Sequence, residues 1–178
     1  MSVLEASDLV YLLPPYHRNF GKRLVKSPKL YLVDVGLACW LLGIRSIEVL
    51  SLHPLRGALF ETWVVSEFLK TRLNAGQPPD LYFWRDNNGL EADLVFEIEG
   101  RLQAVEIKSG RTVTSDYVRA GQKAGRIAGE EALPPRLIYA GDENYARSGL
   151  RVMGWQSLAT LTDGLKFPRP SPSSKPVA

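Results

Sequence analysis

Between residues 81 and 108 apolar and polar positions alternate with period two, the spacing of strands that show different faces to either side. Ala92, Leu94, Phe96 and Ile98 fall on one face and Asp93 on the other. In the next run Val105 and Ile107 point inward, and Glu106 and Lys108 share the opposite face. Glu99-Gly100 fits a two-residue hairpin loop, which pairs Ile98 with Arg101. Counting back from there sets Asp93 across from Glu106. Residues 81–85 form an aromatic strand, and Asp86-Asn-Asn-Gly89 is a turn signal. The spacing therefore predicts a three-strand antiparallel meander over 81–108.

The period changes elsewhere. Residues 55–73 carry Leu55, Leu59, Phe60, Trp63, Val64 and Phe68 at helical spacing and predict one long helix, set off by His53-Pro54 and stopped by Asn74 to Pro79. Residues 114–132 predict a second helix. Gly121, Gly125 and Gly129 lie four apart on one of its faces, where they would let it approach the sheet closely. Residues 136–140 and 150–155 predict further strands. Toward the start, residues 9–13 and 29–33 predict strands flanking a basic loop from Pro14 to Pro28, and residues 37–42 a short helix ended by Gly43. From Phe167 onward the Pro/Ser-rich composition predicts a disordered tail. The order from residue 55 is helix, three antiparallel strands, helix, strand, strand, which predicts an α/β sandwich with helices on both sides of a sheet.

Composition narrows the class. In 178 residues, 45% are hydrophobic and 23% charged, as in a globular domain. No apolar run approaches the ~20 residues of a membrane span, and the start lacks the basic and apolar regions of a signal peptide. A single cysteine, Cys39, excludes an internal disulfide and fits a reducing cytoplasm; its apolar surroundings predict core packing. His17 and His53 have no Cys/His partner spacing, which argues against zinc. A net charge of +3 permits a polyanionic partner without requiring one.

The hairpin carries the candidate chemistry. Like charges opposite each other destabilise a sheet. Two carboxylates on a rigid surface do, however, suit a hard divalent cation, Mg²⁺ or Mn²⁺, and a lysine beside them can stabilise developing negative charge. Asp93 and Glu106 are the expected metal ligands, with the Ile107 carbonyl a further oxygen and Lys108 the acting cation. The plain alternative for Glu106 and Lys108 is a solvent-facing strand with a weak ion pair.

Asp93, followed one strand later by Glu106-Ile-Lys108, resembles the PD-(D/E)xK nuclease superfamily, with its restriction-endonuclease-like core. Glu91-Ala-Asp93 stands where that superfamily often has Pro-Asp. The resemblance implies a further acid on the first core helix, and Glu61 matches that position as a catalytic and metal-binding residue. A closer resemblance, to the DUF4143 domain, rests on Leu4-Glu-Ala-Ser-Asp-Leu-Val-Tyr-Leu-Leu-Pro-Pro-Tyr16, Lys26-Ser-Pro-Lys-Leu-Tyr31, Asp34-Val-Gly-Leu-Ala38, Arg56-Gly-Ala-Leu-Phe-Glu61, Tyr82-Phe-Trp-Arg85 and Val105-Glu-Ile-Lys-Ser-Gly110. It implies the C-terminal part of a prokaryotic AAA-type ATPase. ATP would act through a domain outside these residues, which contain no Gly-x-x-x-x-Gly-Lys-Ser/Thr loop. It also implies a division into residues 1–35, the closing hairpin of a winged-helix domain, residues 36–166, the nuclease-like domain, and the tail at 167–178.

The implied activity is metal-dependent hydrolysis of DNA phosphodiester bonds in the cytoplasm. The alternative is a catalytically inactive module of the same fold that binds nucleic acid or a partner and regulates an ATPase, and homo-oligomerisation is also open. Arg85 is a candidate phosphate contact or one half of a surface salt bridge. Gln122 and Lys123 are candidates near the site or part of a solvated helix face. Lys22 and Arg23, in the basic loop, would touch the DNA backbone as a wing or remain solvated.

Overall fold

Apolar residues on both faces of the central strands call for a layer of helix on each side, and the chain supplies both. The computed structural model describes residues 2–16, 27–85, 90–129 and 132–159. Its elements are α1 (Ser2–Ala6), β1 (Val10–Leu13), β2 (Lys29–Leu32), α2 (Val35–Leu41), α3 (Ile47–Leu52), α4 (Arg56–Asn74), β3 (Tyr82–Arg85), β4 (Glu91–Ile98), β5 (Arg101–Lys108), α5 (Ser115–Ala128), β6 (Arg136–Tyr139), β7 (Tyr145–Arg147) and β8 (Leu150–Gly154). Strands β3 to β8 make one six-stranded sheet in the order β3-β4-β5-β6-β8-β7, and β1 and β2 pair separately. The result is the mixed α/β architecture that the periodicity predicts, with two short helices, α1 and α3, and the edge strand β7 added.

The meander forms in the expected register, from Ile98 paired with Arg101 to Leu94 paired with Val105. Glu99 and Gly100, at φ +51° and +75°, make the left-handed turn that a two-residue hairpin needs. After β5 the chain crosses through α5 and returns as β6, parallel to β5. Thr114 caps α5 by accepting a hydrogen bond from the Tyr117 amide.

The main core lies between α4 and the sheet. Val64, Val65, Phe68 and Leu69 pack on Leu94, Phe96, Val105 and Ile107, and Leu13 and Tyr31 of the hairpin join them. On the other face Ala124 and Ala128 of α5 meet Trp84, Val95 and Ala104. Small residues allow that approach: a Cβ on Gly125 would stand 2.6 Å from Cγ of Pro135. Gly121 packs on Leu150 in the same way, whereas Gly129 lies past the helix end.

Ala92 departs from the expected alternation and packs in the α5-side cluster. Tyr82 pairs with Val95 but Trp84 with Ala92, so Asp93 and Leu94 together face the single residue Phe83. This is a β-bulge, and its extra residue reverses the alternation of everything before it. Among the described residues no helix is long and apolar enough to cross a membrane.

Candidate functional site: an acid–lysine cavity

The bulge lies where the charged residues meet. One step beyond the last ladder pair, the Ile107 amide donates to Oδ2 of Asp93 at 2.8 Å, so a side chain takes over from the backbone as the cross-strand acceptor. Next to it, Glu106 and Lys108 share a face, and Nζ of Lys108 stands 2.5 Å from Oε1 of Glu106. Asp93 and Glu106 are both buried.

These groups border a cavity of about 560 Å³. Glu61 enters from α4, Glu91 and Asp93 from β4, and Glu106 and Lys108 from β5. One stripe of α5, consisting of Asp116, Arg119, Ala120 and Lys123, closes the side. The four expected residues Asp93, Glu106, Lys108 and Glu61 therefore line a single space, and Lys123 borders it with them. Gln122 does not line it; its amide donates to the carbonyl of Ser148. Arg85 is exposed, with Nε 3.5 Å from Oε2 of Glu91, which is the salt-bridge alternative for that residue. Lys22 and Arg23 lie outside the described residues. Ile107 meets the site through its amide.

The sequence reading did not assign Lys29 to this site. Its ammonium is 2.5 Å from Oε1 of Glu91, 3.0 Å from Oε1 of Glu61 and 3.9 Å from Oδ1 of Asp93. The ring of Phe83 lies beneath it, 5.4 Å away. Tyr31, two residues along the same strand face, donates its hydroxyl to the same Glu61 oxygen at 2.6 Å. Period two put Lys29 and Tyr31 on one face of β2, but nothing in that spacing showed which acids the face would meet. Arg119 and Asp116 were also legible as neighbours of Lys123 at helical spacing.

Burial and crowding of like charge shape the titration of the site. Burial, followed by the Glu106 carboxylate, pushes Asp93 up to about 7. Glu106 is also raised, burial outweighing the pull of Lys108. Burial disfavours the charged form of Lys108, but Asp93 and Glu106 outweigh it and raise its pKa. For Lys29 burial is likewise overcome, by Glu61, Asp93 and Glu91. Both lysines therefore remain ammonium ions at neutral pH. Tyr31 is driven up by burial and by Glu61, so its hydroxyl keeps its proton.

The donor chemistry suits a hard divalent cation, since carboxylate oxygens crowd the space and a cationic ammonium already rests among three of them. The geometry is that of a cluster filled by lysine. Among the described residues no group of three or more His, Cys, Asp or Glu side chains is arranged to hold a metal ion.

Fold and site together define a mixed α/β domain with an acid–lysine cavity at a sheet bulge. Residues 56–158 match the family model of DUF4143, a domain of unknown function, and the chain belongs to that family. Residues 1–48, which supply several of the resembling segments, match a second domain of unknown function, DUF8612. Uncharacterized proteins of Mycobacterium tuberculosis and Mycobacterium bovis are each 34% identical over 148 residues, covering 83% of this chain and 32% of theirs. The chain thus spans about a third of the length of these curated relatives.

Proposed function

We propose that this domain hydrolyses phosphodiester bonds in nucleic acid, DNA before RNA, with Mg²⁺ or Mn²⁺, as the nuclease part of a longer ATP-dependent protein. The observation that carries this reading is the convergence of Asp93, Glu106 and Lys108 on one cavity, bordered by Arg119 and Lys123. The resemblance to the PD-(D/E)xK superfamily, with its restriction-endonuclease-like core, supports it. So does the length of the relatives, which leaves room for the upstream ATPase that the DUF4143 resemblance implies.

Asp93 and Glu106 would hold the metal, with Glu61 reaching in from α4. When bound, the metal supplies charge neutralisation at the phosphate and acidifies water. Lys108, held as an ammonium by Glu106, donates hydrogen bonds and steadies negative charge on the phosphoryl oxygens. Asp93 and Glu106 beside it favour its ammonium form. Ile107 fixes one Asp93 oxygen and leaves the other for the site. Arg119 and Lys123 place positive charge where a phosphate backbone would pass.

The test is cleavage of supercoiled, linear, single-stranded and branched DNA, with RNA alongside, in Mg²⁺, Mn²⁺ or EDTA, comparing the wild type with Glu106→Ala and Lys108→Ala. Metal-dependent cleavage that both variants lose supports the reading. Nucleic-acid binding that persists in Glu106→Ala, with no cleavage by any form, overturns it in favour of a non-catalytic module acting on an ATPase. One observation favours that second reading: Lys29 already neutralises part of the acid cluster.

A further inference from the structure

We propose that Lys29, on β2, is an internal counter-cation that competes with divalent metal for the acid cluster beside the cavity. This rests on the reading of the cavity as a cation site. Three carboxylates from two elements converge on the Lys29 ammonium: Glu61 from α4, and Glu91 and Asp93 from β4. Tyr31 reinforces the contact through Glu61.

The ammonium rests against Glu61 and Asp93, two of the three carboxylates proposed as metal ligands. The two cations cannot share them, because like charges at such separations repel strongly in a half-buried site. A lysine can yield by turning its flexible four-carbon stem, without unfolding the strand that carries it. The strand that carries Lys29 belongs to a separate two-stranded sheet, outside the six-stranded ladder, and its Tyr31 is anchored in the main core. Backbone bonds from Phe83 to Pro14 and from Tyr16 to Phe83 tie the small sheet down on the β1 side, and the β2 side meets the cluster through side chains. Metal entry and release of Lys29 are then one equilibrium. Anything that draws the Lys29 side chain away raises metal affinity, and metal draws Lys29 off its acids.

The experiment is a calorimetric Mn²⁺ titration of wild type, Lys29→Met and Lys29→Arg, with folding checked by thermal melting. Lys29→Met should bind Mn²⁺ at least tenfold more tightly than wild type, and Lys29→Arg, which keeps the charge, no more tightly than wild type. Equal or weaker binding by a folded Lys29→Met overturns the proposal, as does the absence of Mn²⁺ binding in every form. In wild type carrying ¹³C-lysine, the Lys29 side-chain resonance should shift on Mg²⁺ saturation. An unmoved resonance overturns the proposal even where Lys29→Met does not fold. Cleavage is read separately. Tighter metal binding without cleavage sinks the nuclease reading and leaves the competition by Lys29 intact. Wild-type cleavage with unchanged Lys29→Met affinity does the reverse.

Discussion

The Ile107 amide donates to the Asp93 carboxylate at 2.8 Å, one step past the last backbone pair of β4 and β5. Asp93 therefore has a structural duty as well as a place in the cavity. Asp93→Asn keeps an acceptor for the amide and removes a buried charge, so thermal stability should hold or rise. Asp93→Ala leaves the amide without this acceptor and should cost about 1–3 kcal/mol by denaturant titration. Both variants should lose metal-dependent cleavage. Equal stability of the two would show that the hydrogen bond carries no weight.

Asp93 also predicts how stability varies with pH. Its folded value, about 7, lies above the ordinary 3.8 of an unfolded aspartate. Between those values the folded state holds a proton that the unfolded state has released. Stability from this group is full below about 4 and falls as pH rises through 7. In divalent-free buffer the melting temperature should show this decline, and Asp93→Asn should flatten it. A wild-type curve that rises across the window would contradict the assignment.

Glu106 is buried and Lys108 half-buried beside it, and loss of this pair affects folding and activity differently. Lys108→Ala strands the Glu106 charge, a defect that costs about 3–5 kcal/mol when fully buried and less here, where Lys108 is partly exposed. The double variant Glu106→Gln/Lys108→Met should recover most of that stability. Neither should cleave, and removing the lysine should slow any residual reaction by about 100–1000-fold, the scale for losing one aimed electrostatic donor. Recovered activity in the double variant would rule out a catalytic role for the pair.

The turn that sets the register is a further point of control. Gly100 sits at φ +75°, and Gly100→Ala should cost about 1–2 kcal/mol for the left-handed backbone. Glu99 adopts φ +51°, which asparagine tolerates better. Glu99→Asn should therefore raise the melting temperature and leave the cavity unchanged. A drop would mean that the Glu99 side chain makes a contact worth more than the turn preference.

At Gly125 the restriction is space. A Cβ there would meet Pro135 at 2.6 Å, so Gly125→Ala should push α5 outward and cost about 1–3 kcal/mol. The stripe bearing Arg119 and Lys123 would move with it, so nucleic-acid affinity should fall together with the melting temperature. Unchanged affinity in a destabilised variant would place the binding surface elsewhere.

The hairpin register, the α4 and α5 helices and the meeting of Asp93, Glu106 and Lys108 were all present in the chain's periodicity. Strand alternation and a two-residue turn are local, and both follow from φ/ψ preferences and from which neighbours share a face. The helix carrying Glu61 was equally local. Its position beside Asp93 came from resemblance, and the packing of α4 on β5 brought it there.

Other features had no local signal. The bulge that sends Ala92 to the opposite face depends on how β3 pairs with β4, a contact between segments that spacing along one strand cannot register. The seat of Lys29 among Glu61, Glu91 and Asp93 joins residues 32, 62 and 64 positions apart and exists only once the hairpin docks on the core. The chain by itself determined which side chains share each face of an unbroken strand or helix, because that is local backbone geometry. Only the tertiary structure decided which faces meet, because that follows from apolar burial summed over the whole core, and with it whether the acids face an open cavity or a lysine.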